Sequence, residues 1–288
     1  DWRGLPVLVD QACDGWQTTA NRLQASWAQR QHVLARDMRD QLGLDQPEVT
    51  TIVTMSPIPS HPSLAILEAT LASILERGPD GPIVVACDGP IDGPNADYEE
   101  AVRRLCMLAL HEPGWERVLP LVAPHWLHQA NLVRLALDEL VASPLVFVVE
   151  HDTPLWGDQP IPWGQLSAAV RSGDVNVVRM HHEASILPEH RHLMIGDGPM
   201  DVCGVPLWPT VQWSQRPQLA SAAYYRRILA QHFPPESRGF IEDHIYSPVS
   251  CGPWTDHRVA IYHPVGDIKR SGHLDGRAGG PKAPAYLP

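Results

Sequence analysis

The chain has 288 residues, 44% of them hydrophobic and 19% charged, with a formal net charge of -11. That is long enough to bury a substantial core, and no apolar run approaches the roughly 20 residues that span a bilayer. The negative balance repels a phosphate backbone and no basic stripe is interleaved with aromatics, so nucleic acid is excluded as an expected partner.

Five cysteines (Cys13, Cys87, Cys106, Cys203, Cys251) are odd in number and lack Cys-x-x-Cys spacing. This argues against a disulfide framework or a structural zinc site and makes a reducing cytoplasm the expected compartment. The first residue is Asp1, and residues 5–9 are too short and wrongly flanked for a signal peptide, so a trimmed start is expected. Leu23, Trp27, Leu34, Met38 and Leu42 fall at helical spacing and predict an N-terminal helical extension over residues 1–48. Its apolar stripe suits core packing or a subunit contact, which leaves a homodimer open as an assembly.

The β-branched run from Val49 to Met55 predicts a first strand, followed by a proline-rich loop from Ser56 to Ser63, with Ser63 as a helix N-cap. Leu64, Leu67, Leu71, Ile74 and Leu75 continue at helical spacing until Gly78 and Pro79 stop them. A second strand from Pro82 to Cys87 ends in Asp88-Gly89-Pro90. Strand, helix and strand within about 40 residues make a βαβ unit, which forces a parallel pair with a right-handed crossover.

A helix from Asp97 to Leu110, a short strand from Arg117 to Val122 and a helix from His128 to Val141 lead to the strand that begins at Leu145. Beyond it come a Pro/Gly/Trp loop from Trp156 to Trp163, a short helix from Leu166 to Arg171, a strand from Val175 to Met180 and an apolar, tryptophan-rich stretch over 206–217. A helix from Ser221 to His232, the Phe240 to Tyr246 segment and a strand from Val259 to His263 come next. From Gly266 the chain is glycine-rich and polar, a tail or lid over 266–288. One main α/β domain is expected over 49–265.

Five apolar residues, Leu145 to Val149, suit a strand buried on both faces of a parallel sheet, and ligands gather at the carboxyl ends of such strands. Glu150 and Asp152 occupy that end. Two apart on extended backbone, they point to one side and can face one divalent cation, with His151 turned away or capping the site. The same acids also suit the start of a solvated loop, with Thr153-Pro154 as a turn signal. Among 15 histidines, His181-His182-Glu183 with His190 and His192 does not match a His-Glu-x-x-His helix and reads as surface or loop.

In order, these segments resemble the family 2 type of GT-A glycosyltransferases over roughly residues 49–249. Thr51-Ile52-Val53-Thr54-Met55-Ser56 with the next helix resembles that family's opening, and Ile83-Val84-Val85-Ala86-Cys87-Asp88-Gly89 its second strand. Gln129-Ala130-Asn131-Leu132 resembles its Asn-containing helix, Val146-Phe147-Val148-Val149-Glu150-His151-Asp152 its Asp-x-Asp strand, and Glu242-Asp243 its later Glu-Asp motif. Cys87 and Glu150 depart from the family's aspartates, and no Gln-x-x-Arg-Trp motif is present, which points away from polymer synthesis.

The resemblance implies a Rossmann-like α/β fold with a mixed, mostly parallel central sheet flanked by helices. Residues 49–152 would form the nucleotide-binding half and 153–265 the acceptor half. It further implies a metal-dependent, inverting transfer of a sugar from a nucleoside diphosphate sugar to a hydroxyl of a small molecule, glycan or peptide. The loop beginning at Ser56, together with Asp88 and Asn131, would hold the nucleoside, and Glu150 and Asp152 would serve the ribose and a Mn2+ or Mg2+ ion. His263 or His273 would complete the metal shell. Asp243 would be the general base, with Glu242 second; both equally suit simple helix N-terminal charge.

Trp208, Trp213, Trp254 and Tyr224 suit either stacking on a sugar or aglycone or core packing. Arg258, Lys269, Arg270 and Arg277 suit a basic tail over the diphosphate or solvated charge, and Arg216 suits a surface position better than a phosphate contact. Two other functions compete: a nucleotidyltransferase, for which Ser56 to Ser63 lacks the glycine-rich basic loop, and a non-catalytic nucleotide-sugar or glycan-binding module, motivated by Cys87 and Glu150.

Overall fold

The computed structural model describes residues 47–91, 93–183, 185–263 and 269–274. The elements named below belong to the unit Pro47–Pro288. The expected helical extension falls outside the described residues apart from its last two, and Arg277 lies outside them as well.

The elements in chain order are β1 (Val49–Met55), α1 (Ala65–Arg77), β2 (Ile83–Cys87), α2 (Ala96–His111), β3 (Val118–Val122), α3 (His128–Glu139) and β4 (Leu145–Glu150). Then come α4 (Trp163–Arg171), β5 (Val177–Met180), a 3-10 helix (Pro188–Leu193), β6 (Met200–Val202), β7 (Val205–Pro209) and β8 (Gln218–Ser221). The series ends with α5 (Ala222–His232), α6 (Ile241–Cys251), α7 (Trp254–His257) and β9 (Val259–Tyr262).

Among the described residues the strands form one nine-stranded sheet in the order β3-β2-β1-β4-β8-β5-β9-β7-β6. The first four are mutually parallel, β8 runs antiparallel between β4 and β5, β9 is parallel to β5, and β7 is antiparallel to both β9 and β6. All strands except β8 and β7 therefore point the same way, which is the mixed, mostly parallel sheet expected. The strand order reverses at β1, and the crevice beyond the carboxyl ends of β1 and β4 is where such sheets bind ligands.

Side-chain alternation explains the two layers of helices. On β4, Leu145, Phe147 and Val149 join the core under α1, α2 and α4, while Val146 and Val148 join the one under α3, α5 and α6. Both faces are covered, so the strand reads as a continuous apolar run. Full burial of a side chain such as Phe147 or Ile52 contributes roughly 1.5–3 kcal/mol.

Several boundaries shift inward. The His128 helix ends at Glu139 rather than Val141, and β5 begins at Val177 rather than Val175. Ser63 sits one residue before the N-cap position, held by Leu64, although its hydroxyl accepts the Ala65 N–H at 3.3 Å. Cys87, Cys106, Cys203 and Cys251 are free. No helix among the described residues is long and apolar enough to cross a membrane.

Candidate functional site

The strand β4 stops at Glu150, and the backbone turns at once. The Thr153 N–H donates to the Glu150 carbonyl at 3.1 Å, while the Thr153 hydroxyl accepts the Glu150 N–H and donates to the same carbonyl. This knot brings the two acids together. One ligand atom each from Glu150, Asp152 and His273 lies within 4.8 Å of the others, and His273 Nε2 is 3.5 Å from Asp152 Oδ2. Convergence thus comes from a turn rather than from extended alternation. His151 is turned away, its Nδ1 at 3.3 Å from the Thr54 carbonyl.

His273 arrives on a strap rather than on a loose tail. The strap runs antiparallel to residues 152–156: Trp156 N–H donates to Arg270 O, Gly272 N–H to Pro154 O, and Leu274 N–H to Asp152 O at 2.7 Å. Arg270 anchors it; fully buried, it donates to the Gln159 carbonyl at 2.7 Å and packs over the Tyr262 ring. Burial in those contacts corrects the expectation that Arg270 closes over a diphosphate. Arg258 likewise donates to the carbonyls of Thr255 and Gly173.

At Gly272 the strap passes the Trp156 indole so closely that a Cβ would lie 2.4 Å from a ring carbon. Gly272→Ala is therefore expected to push the strap outward and weaken Mn2+ binding about tenfold, measured by calorimetry, with a stability loss of about 1–3 kcal/mol from overpacking. Unchanged metal affinity would show that His273 plays no part in the cluster.

Of the two late histidines, only His273 joins the acids. The ring of His263 packs edge-on against His181, with centroids 4.8 Å apart, and His263 is outside the three-residue group.

Gln129, at the start of α3, links this cluster to α6. Its Nε2 donates to Glu150 Oε1 at 2.7 Å, and its Oε1 accepts the Ile241 N–H at 3.0 Å as well as the Gln215 side-chain amide. The Gln215 N–H donates in turn to Glu242 Oε2 at 3.2 Å. One amide thus holds the Glu150 carboxylate of the three-residue cluster and satisfies the first N–H of α6. The sequence motif singles out Asn131 and passes over Gln129; a polar residue two positions before the motif's asparagine, on the buried face of an amphipathic helix, is the signal that could have found it. Gln129→Leu strands the Ile241 N–H and removes the amide bond that orients Glu150, so it is expected to cost about 1–3 kcal/mol in denaturant melts and to weaken Mn2+ affinity about tenfold.

Asn131 serves a different purpose. Its Nδ2 donates to the carbonyls of Pro235 and Ser237, tying down the loop ahead of α6. Asp88 is buried and accepts three backbone N–H groups, from Gly89, Leu127 and His128, at 2.7–2.9 Å. It acts as a cap for α3 supplied from the end of β2. Burial raises its pKa, and those three bonds oppose the rise. Cys87 is fully buried beside the Met55 sulfur, and Ser56 follows β1 half-buried at the crevice.

Glu242 and Asp243 occupy the first turn of α6, the former half-buried and the latter exposed. Of the two readings of the aromatic residues, stacking or core packing, the second holds for most: Trp213 and Tyr224 are buried, and Trp254 donates its indole N–H to the Val259 carbonyl. Trp208 carries Arg191 over its ring. His181 and His182 are half or more enclosed rather than surface groups, and burial lowers their pKa values to about 4 and about 3. His182 stays neutral at pH 7 although Glu183 lies 3.5 Å away.

No protein-family model matches the chain, and no curated protein sequence does. Solved structures do. A crystal structure of GalNAc-T7 with UDP, GalNAc and Mn2+ matches at TM-score 0.51 and 9% identity, over 80% of this chain and 44% of that one. The mannosyltransferase PcManGT from Pyrobaculum calidifontis, in complex with GDP-Man and Mn2+, matches at TM-score 0.51 and 16% identity, over 89% and 68%. The chain has the GT-A fold. S. aureus TarS 1-349 in complex with UDP-GlcNAc gives TM-score 0.50 and 13% identity, over 83% and 62%. This GT-A chain spans less than half the length of GalNAc-T7, and at these identities the likeness is one of architecture.

Proposed function

We propose that this GT-A protein is a metal-dependent glycosyltransferase that moves a sugar from a nucleoside diphosphate sugar to a hydroxyl acceptor with inversion. The observation that carries the proposal is the meeting of Glu150, Asp152 and His273 at the carboxyl edge of the sheet. GT-A neighbours hold UDP or GDP-Man together with Mn2+. Two carboxylates and an imidazole fit Mn2+, and the oxygens alone fit Mg2+. When bound, such an ion supplies Lewis-acid neutralisation of a departing diphosphate.

The chain's own groups do the rest. Gln129 fixes Glu150, the strap holds His273 beside Asp152, and the Asp88-capped α3 with the loop from Ser56 lines the nucleoside side. Asp243, exposed on the first turn of α6, takes the proton from the acceptor hydroxyl as the new bond forms. Glu242 is the poorer choice because Oε2 already accepts the Gln215 N–H. A single base and one direct displacement give inversion at the anomeric carbon.

Thermal melts against a panel of UDP- and GDP-sugars test this directly. At least one donor at a hundred times its Kd is expected to add about 2.7 kcal/mol, a rise of about 5–10 °C, only when Mn2+ is present. Binding without donor hydrolysis or transfer would favour a non-catalytic binding module, and no metal-dependent shift with any donor would overturn the site.

A further inference from the structure

Across the sheet from the acids lies a charge whose hydrogen-bond partner among the described residues is a neutral amide. Arg179, on β5, is 3% exposed. It pairs in register with Gln218 of β8, which pairs with Val148 of β4, so Arg179 sits on the face of Val148 and Glu150. Two strand spacings, about 10 Å, separate it from β4.

Its Nη2 donates to the neutral Gln212 Oε1 at 3.1 Å, and its Nε is buried with no hydrogen-bond partner among the described residues. No carboxylate among the described residues lies within ion-pair distance of it. Arg216, half-buried, makes no hydrogen bond or ion pair among the described residues, and its charge acts on both Arg179 and His182. Burial pulls the Arg179 pKa down to about 10; the Glu242 carboxylate opposes that pull, and Arg216 adds to it by less than Glu242 takes away. Arg179 still remains charged at neutral pH. His182 adds a buried Nδ1 that has no hydrogen-bond partner among the described residues.

A guanidinium buried in the sheet, with the Glu242 carboxylate beyond ion-pair distance and a second guanidinium acting on it, is costly unless an anion joins it. Guanidinium forks match carboxylate and phosphate oxygens better than any neutral group does. We infer that Arg179 and Arg216, with His182, form an anion subsite that receives a phosphate or carboxylate group carried by the acceptor. This inference rests on the transferase reading. The acceptor is the chosen source because Arg179 stands on β5 and Arg216 directly follows Gln215, which is bonded to Glu242 of α6, whereas a diphosphate held by Glu150 and Asp152 would lie over β4.

Arg216 is the residue to change, since Arg179 is buried in a central strand. In metal-free buffer with chelator at low ionic strength, inorganic phosphate is expected to bind the full chain by calorimetry, and Arg216→Met is expected to weaken it at least tenfold. Arg216→Lys, which keeps the charge, is expected to retain most of that affinity. Mn2+-dependent UDP or GDP affinity is expected to stay within twofold of wild type in Arg216→Met. No phosphate binding, or equal phosphate affinity in wild type and Arg216→Met, would overturn the subsite. A parallel loss of nucleotide affinity in Arg216→Met would overturn the acceptor assignment and give the arginines to the donor. Absence of Mn2+-dependent nucleotide binding in wild type would instead sink the transferase reading and the acceptor assignment, while the phosphate titration still decides whether the arginines bind an anion.

Discussion

Asp152→Asn is expected to abolish metal-dependent nucleotide binding, with a loss of about a hundredfold or more in Mn2+ affinity, and to leave the fold intact. Asp152 is mostly buried, and its carboxylate faces His273 within a cluster that also holds the Glu150 carboxylate. Hard divalent cations need anionic oxygen, and an amide keeps the shape while removing the charge. The backbone carbonyl of residue 152 goes on accepting the Leu274 N–H, so the strap stays in place. Without an ion, moreover, two carboxylates this close repel each other. Neutralising one is expected to leave the metal-free melting temperature unchanged or slightly higher while the Mn2+-induced rise disappears. Melts with and without Mn2+ separate the two effects in one experiment. Equal Mn2+ affinity in mutant and wild type would remove the metal centre from residues 150–152.

The acids that make this prediction were legible because they end an apolar run. Five apolar residues cannot stop at two carboxylates in mid-sheet, so the strand had to end there, and the βαβ order of the preceding segments put that end at a crevice. The first four strands and their helices could be read for the same reason: each carries an uninterrupted run of one periodicity.

The second half was less readable. The strand β8 is four residues long, Gln218–Ser221, comes directly after Pro217 and contains only one strongly apolar side chain, yet it lies at the middle of the sheet. Its place comes from pairing with β4 and β5 on either side, which is tertiary context rather than local propensity. Nor does sequence spacing reveal that His273 rather than His263 reaches the acids. That choice is made by the strap's backbone bonds to residues 152–156 and by the close passage at Gly272. The bonds Asn131 makes were hidden for a similar reason: a motif fixes a residue's place on a helix but not which loop packs against it.

The proposed roles of the paired acids on α6 are separable by kinetics. Asp243→Asn is expected to lower kcat by about 10²- to 10⁴-fold with the donor's Kd unchanged, since removing a general base acts on proton transfer and not on ground-state binding. Its exposure makes the stability cost small: the charge in the first turn of α6 is worth about 0.3–1 kcal/mol through the helix dipole. Glu242→Gln is expected to behave differently. A glutamine carbonyl can still accept the Gln215 N–H, so the link through Gln129 to Glu150 survives and kcat falls much less. If the two acids served only the helix dipole, both variants would lose a fraction of a kcal/mol and neither would lose turnover. If Glu242 were the base, the order of the kcat losses would invert, and the hydrogen bond from Gln215 would have to break as the acceptor binds.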